Sequence, residues 1–198
     1  MKIIKFAIFL LIATTSLYAT ETFQVNLEKS KVRWEGKKPI GGHHGYIKIK
    51  SGKLLFNGQD LAGGSFVIDM NTIVDEDLTD KASNAKLVNH LKSDDFFNVE
   101  KYPESKLRIT SVKPLLTRDK DDHNFQVTAD LTIRDKTHSI SFPALIKRKG
   151  DMAEAYTFIR IDRSKWDVRY NSGNFFKDLG DKVISDDIDF NVTIYSNK

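Results

Sequence analysis

The sequence predicts an all-β fold, a barrel or sandwich of roughly nine or ten short antiparallel strands with one short helix. Three observations predict it. Apolar residues alternate with polar ones in short runs, Gly, Asn, Asp or Pro bounds each run, and a single stretch adopts helical spacing instead.

The N-terminal segment stands apart from this pattern. Met1 to Ala19 carries Lys2 and Lys5, an apolar run from Phe6 to Ile12 and a small residue at its end, which is the form of a secretory signal peptide. The run is shorter than the about 20 apolar residues that span a bilayer. Cleavage is expected near Ala19, leaving one domain over residues 20–198, without a transmembrane segment, in a periplasmic or otherwise secreted location. The mature chain then holds 29 Lys and Arg against 27 Asp and Glu, a net charge of +2 rather than +4. Its basic residues are interspersed with acidic ones, so no stripe exists for a phosphate backbone, and no nucleic-acid partner is expected. With no cysteine, disulfides, thiolate nucleophiles and an acylated N-terminal cysteine are all excluded.

The strands follow in order. Phe23, Val25 and Leu27 alternate with polar partners, as do Val32 and Trp34. Beyond Gly41-Gly42, the residues Gly45, Ile47 and Ile49 share one face, and Ser51-Gly52 reads as a hairpin turn into Leu54 and Phe56. Phe66, Ile68 and Met70 form the next face. Residues 81–92 carry the helix, with Asp80 placed to cap its first turn and Leu87, Val88 and Leu91 on one side. Leu107 and Ile109 return to strand spacing. Val127 to Ile133 and Ile140 to Ile146 continue it, Pro143 marking an edge or bulge. Ala155 to Ile161 and Ile188 to Ile194 complete the set. A lone helix beside so many strands suits a plug, a lid or the cover of an open sheet edge.

Chemistry-bearing motifs are sparse. His43 and His44 are adjacent, and neighbours on a strand point to opposite faces, so no metal site is expected; one of the two is placed to hydrogen-bond at a barrel rim. Asp75, Glu76, Asp77 and Asp80 lack the glycine and glutamate of a calcium loop and read as a solvated turn. Gly-x-Ser-x-Gly is absent, and Ser93, Asp94 and Asp95 beside His90 sit where a helix ends and such residues cap. Phosphate-binding glycine motifs are absent as well. The remaining signal is apolar bulk: Trp34, Phe66, Phe96, Phe97, Phe142, Phe158, Trp166, Phe175 and Phe176. A barrel of about eight strands can be filled by such side chains or can hold one small ligand.

Several motifs, in order, resemble the YceI-like family of secreted, lipocalin-like barrels. They are Trp34-Glu35-Gly36-Lys37-Lys38 with Gly42-His43-His44-Gly45, Gly63 to Met70, Leu91 to Phe97 with Lys101-Tyr102-Pro103, Asp162 to Trp166, Tyr170 to Gly173, and Leu179 to Lys182. The resemblance spans about Phe23 to Tyr195. It implies an extended antiparallel β-barrel of about eight strands around an apolar channel that binds a polyisoprenoid, an isoprenoid quinone or a comparable long-chain amphiphile, without covalent chemistry, and it permits a homodimer.

On alternation and aromatic character the expected channel residues are Trp34, Ile47, Ile49, Phe66, Ile68, Met70, Phe96, Phe97, Leu107, Ile109, Leu131, Ile133, Phe142 and Trp166, with His44, Lys92 and Arg163 as head-group candidates. Two other functions stay open at this point, a structural or stress-response module with a filled core and a secreted hydrolase.

Overall fold

A computed structural model describes residues 19–117 and 119–198. The signal-peptide segment, apart from Ala19, lies outside the described residues. Among the described residues nine strands form one antiparallel sheet: β1 Glu21–Val25, β2 Lys31–Lys37, β3 Gly42–Asn57, β4 Asp60–Asp75, β5 Glu104–Pro114, β6 Phe125–Ile133, β7 Lys136–Lys149, β8 Met152–Asp162 and β9 Asp187–Asn197.

The sheet closes on itself through β3–β4 and β1–β9 pairing. Both β1 and β2 run antiparallel to β3, pairing with its second and first halves, and both also pair with β9. They are therefore two halves of one stave, and the barrel has eight staves. The interruption at residues 26–30 is tied down locally. Asn26 Oδ1 accepts from the N–H groups of Glu28 and Lys29, and Ser30 Oγ bonds both backbone groups of Tyr195. Leu27 falls in this turn and is exposed, so the alternation of Phe23 and Val25 does not extend to it.

The Ser51-Gly52 pair is not a turn but lies inside β3, where the register against β4 shifts between Ile49 and Ser51. This bulge reverses the parity of the strand, so that odd-numbered Ile47 and Ile49 and even-numbered Leu54 and Phe56 are all buried. Gly52 suits that position because a Cβ would stand 2.8 Å from the Phe66 ring and 2.9 Å from a Val25 methyl, so a larger residue would displace one of them. The true hairpin joins Asn57 to Asp60, with Gly58 at φ 61°. Pro143 sits where β7 parts from β8: β7–β8 pairing starts at Ala144. A residue without an N–H suits that position.

The helix α1 spans Lys81–Lys92, with Asp80 capping through Ser83 N–H at 2.8 Å. It covers the last residues of β4, which extend beyond the β4–β5 pairing that ends at Asp69, and Asn84 Nδ2 pins it there through Asp75 O and Leu78 O. Among the described residues no helix is long and apolar enough to cross a membrane. Two short 3₁₀ turns, η1 Arg163–Trp166 and η2 Gly180–Lys182, lie in the connection from β8 to β9.

Candidate functional site

The barrel encloses a cavity of about 580 Å³, within the roughly 300–1,000 Å³ of small-molecule sites. Every stave contributes apolar side chains to it. Val32 and Trp34 come from β2, Ile47 and Ile49 from β3, Phe66, Ile68, Met70 and Ile73 from β4, and Leu107 and Ile109 from β5. Leu131 and Ile133 on β6, Ile140 and Phe142 on β7, Ile159 on β8, and Phe190 and Val192 on β9 complete the ring. Two hydroxyls in this wall are engaged within it: Ser105 Oγ lies 3.1 Å from Met70 Sδ, and Thr157 Oγ1 donates to Pro143 O at 2.8 Å.

All the channel residues expected from the sequence except Trp166 line this cavity, and Phe96 and Phe97 do so from the corner after α1. Trp166 is 1% exposed and lies outside the lining. Its ring meets His138 edge-on at 5.0 Å and its Nε1 donates to Leu131 O at 3.0 Å, which seals η1 against the β6–β7 hairpin. Strand alternation has nothing to say about a side chain in a 3₁₀ turn. Phe158, Phe175 and Phe176, part of the apolar inventory, are exposed.

One end of the cavity is blind. Leu54, Leu61, Val127, Ala144, Ile146, Ala155 and Ile194 form its floor. Beneath them Phe23 and Phe56, both 0% exposed, meet edge-to-face at 5.0 Å. The Arg148 guanidinium stacks over both rings at 4.7 and 5.3 Å, pairs with Glu21 at 2.7 Å and donates to Gly58 O.

The opposite end is a polar-fringed mouth. Its lining adds Lys37, Lys38 and His43 from the β2–β3 hairpin, Leu87, His90 and Leu91 from α1, and Arg163, Tyr170, Asn171, Asp181, Lys182 and Ser185 from the β8–β9 connection. Arg163, 1% exposed, holds that connection together. It donates to Ser185 O at 3.0 Å, Val168 O at 2.7 Å and Ile184 O at 3.0 Å, and pairs with Asp186 at 3.2 Å. Most of its donors are thus committed to the fold. Arg134, in the β6–β7 turn, ties the aromatic corner to the same connection through Phe96 O and Asp167 O.

The other two head-group candidates, His44 and Lys92, lie off the lining, while the adjacent His43 and the nearby His90 lie on it. The polar fringe members Lys37, Lys38, Asn171, Asp181 and Lys182 were not singled out by alternation, because four of them sit in loops or turns. The available signal was their place inside the family-like runs Trp34 to Lys38, Tyr170 to Gly173 and Leu179 to Lys182.

Of the residues suspected of hydrolysis, Ser93 is engaged at the helix terminus. His90 Nε2 does approach Asp95 Oδ2 at 3.2 Å, but Ser93 Oγ donates to the His90 carbonyl at 2.8 Å as part of the helix terminus. The acidic turn after β4 departs further from expectation. Asp75, expected in solvent, has a side chain 0% exposed, 3.9 Å from His43 Nδ1, and Asp77 Oδ2 lies 3.0 Å from the same nitrogen. Burial pushes the Asp75 carboxyl up, and the neighbouring Asp77 adds to the rise. Burial also opposes ionisation of Asp77, but the His44 N–H and its contacts with Asp75 and His43 outweigh it and hold that carboxyl down at about 2.

An eight-stave antiparallel barrel with one helix and a blind apolar channel, open at a polar rim, defines a cavity-bearing barrel of lipocalin-like form. The YceI-like domain model matches residues 23–195, and the chain belongs to that family. It is 30% identical over 109 residues to Protein YceI of Escherichia coli O6:H1, covering 54% of this chain and 51% of that protein. A UPF0312 protein of Photorhabdus laumondii is 32% identical over 101 residues, covering 50% of this chain and 48% of its own length. The chain thus spans about half the length of the curated relatives it matches.

Solved structures share the fold over nearly all of the chain. Burkholderia cenocepacia BcnA superposes with a TM-score of 0.66 at 22% identity, covering 86% of this chain and 98% of BcnA. A polyisoprenoid binding domain from Saccharophagus degradans gives 0.61 at 10% identity, covering 88% and 97%. The Campylobacter jejuni YCEI protein gives 0.52 at 17%, covering 100% and 93%.

Proposed function

We propose that this protein is an exported carrier that sequesters one long-chain amphiphile, a polyisoprenoid or isoprenoid quinone, tail first in the channel. The observation that carries the reading is the asymmetry of the cavity, apolar from the floor upward apart from the engaged hydroxyls of Ser105 and Thr157, and charged at the mouth alone. A chain buried there gains about 0.8 kcal/mol per CH₂ relative to water, roughly 3–4 kcal/mol per five-carbon isoprene unit. A bilayer offers nearly the same. The protein therefore needs little advantage over the membrane to shield such a lipid in an aqueous compartment and exchange it. The polyisoprenoid-binding relative supports the ligand class, and the N-terminal segment supports export. The apolar cavity favours this reading over a filled structural core.

Solvent extraction of protein purified without detergent should release about one long-chain lipid per chain. Protein that is recovered empty and takes up neither a quinone nor a polyprenol would overturn the proposal. Phe97→Asp separates ligand from core: uptake should fall by at least tenfold while the thermal transition stays cooperative, since the ring faces the channel.

A further inference from the structure

We propose that His43, Asp75 and Asp77 form a binding site for a divalent cation of the zinc class at the mouth of the channel. The three residues come from the start of β3, the end of β4 and the turn that follows, and their donor atoms all lie within 4.8 Å of one another. A tetrahedral ion with bonds of about 2.0–2.2 Å holds neighbouring donors roughly 3.3 Å apart. His43 Nδ1 is 3.0 Å from Asp77 Oδ2 and 3.9 Å from Asp75 Oδ2, which brackets that spacing.

The carboxylates are arranged as metal ligands are, one oxygen held and one offered. Asp75 Oδ1 accepts from Leu78 N–H at 2.9 Å and from Asn84 Nδ2 at 3.1 Å. Its Oδ2 is buried and has no hydrogen-bond partner. An unpartnered buried carboxylate oxygen is costly, and a cation removes the cost. Asp77 likewise commits Oδ1 to His44 N–H at 2.8 Å and turns Oδ2 toward His43. Backbone pairing fixes the frame, because Gly45 pairs with Asp75 and Glu76 N–H donates to His44 O at 2.9 Å. Gly45 permits this close approach, since a Cβ there would stand 1.9 Å from Val74 O.

Two carboxylates and a neutral imidazole balance a 2+ ion. One nitrogen with two oxygens suits Zn²⁺ or Co²⁺ better than Ca²⁺, which takes 6–8 oxygen ligands. His43 also lines the channel, which places the site beside the channel mouth.

The competing account is a proton shared between Asp75 and Asp77. Asp75→Asn separates the two, because an amide at residue 75 still donates to Asp77 but is a poor metal ligand. Chelator-treated full-length mature protein, titrated calorimetrically with Zn²⁺, should bind one ion per chain. Asp75→Asn, with its folding checked by circular dichroism, should weaken that binding by roughly a hundredfold or more. In the unmutated protein, Co²⁺ should shift or broaden the His43 ring resonances before those of the other histidines. This second measurement does not depend on the variant folding. No binding of either ion, binding unchanged in Asp75→Asn, or Co²⁺ perturbing another histidine first would each overturn the site.

Discussion

At the floor of the barrel, Phe23 and Phe56 on β1 and β3 stack under a guanidinium from β7, and every partner is held by strand pairing. At the mouth, the β8–β9 connection is held by Arg163 hydrogen bonds to three carbonyls, and the aromatic corner by Arg134. The floor is apolar packing that resists any opening. The mouth is polar scaffolding around an opening, and its stability rests on a few desolvated groups. A blind channel needs both, since only one end has to admit a ligand.

The largest expected effect tests whether the ends are separable. Arg163→Met leaves Asp186 and three carbonyls short of their partner, which costs about 3–5 kcal/mol when a buried charge is stranded. Hydrogen exchange should show protection lost over residues 163–186 while β7 and β8 near Lys149 and Met152 stay protected. Uniform loss along the barrel would mean that the two ends unfold as one unit.

Phe56→Ala attacks the other end and should cost about 3–4 kcal/mol in chemical denaturation, because a ring wholly out of solvent leaves a cavity behind. Its effect should be global, unlike that of Arg163→Met. A cost below about 1 kcal/mol would show that the aromatic pair is not what closes the floor.

Shortening the channel is milder. Ala155→Phe places a ring just above the floor and should displace two or three CH₂ groups of a long tail, about 2 kcal/mol or near thirtyfold in affinity. Uptake of a short amphiphile should be spared. Equal loss for short and long ligands would argue against tail-first insertion.

The smallest effect is electrostatic and lies near the mouth, where Asp189 bonds Arg160 at 2.6 and 2.8 Å and Lys37 at 3.0 Å. Arg160, with Lys37 beside it, holds that carboxyl below the usual range against the opposing effect of burial. A depressed carboxyl contributes its full stability above its unfolded value of about 3.9 and loses it as pH falls through the lower folded value. Urea midpoints should therefore drop as pH falls below about 4, and Asp189→Asn should flatten that part of the curve. An unchanged slope would remove Asp189 from the acid response.

The same contrast decides how much could be read from the chain. The floor and walls were legible because alternation is a local property: Ile47 with Ile49, Phe66 with Ile68 and Met70, and Leu131 with Ile133 each needed only a two-residue period to be placed inward. Helix α1 was legible to the residue, since Asp80 and the apolar spacing of Leu87 and Leu91 are local signals too. The β3 bulge was not, because Gly52 reads as a turn until Phe66 and Val25 are known to crowd it.

The sequence by itself determined the all-β class and most of the strand faces, the helix, the apolar residues that line the channel walls and the family to which the chain belongs. Only the tertiary structure decided that β1 and β2 share a stave, that Trp166 seals the wall, that His43 rather than His44 faces the channel, and that Asp75 is buried beside it. The reason is range. Facing and helicity follow from neighbours a few residues apart, whereas the mouth gathers residues 37, 43, 75, 90, 163 and 182, whose meeting depends on barrel closure and on loops without a period to read.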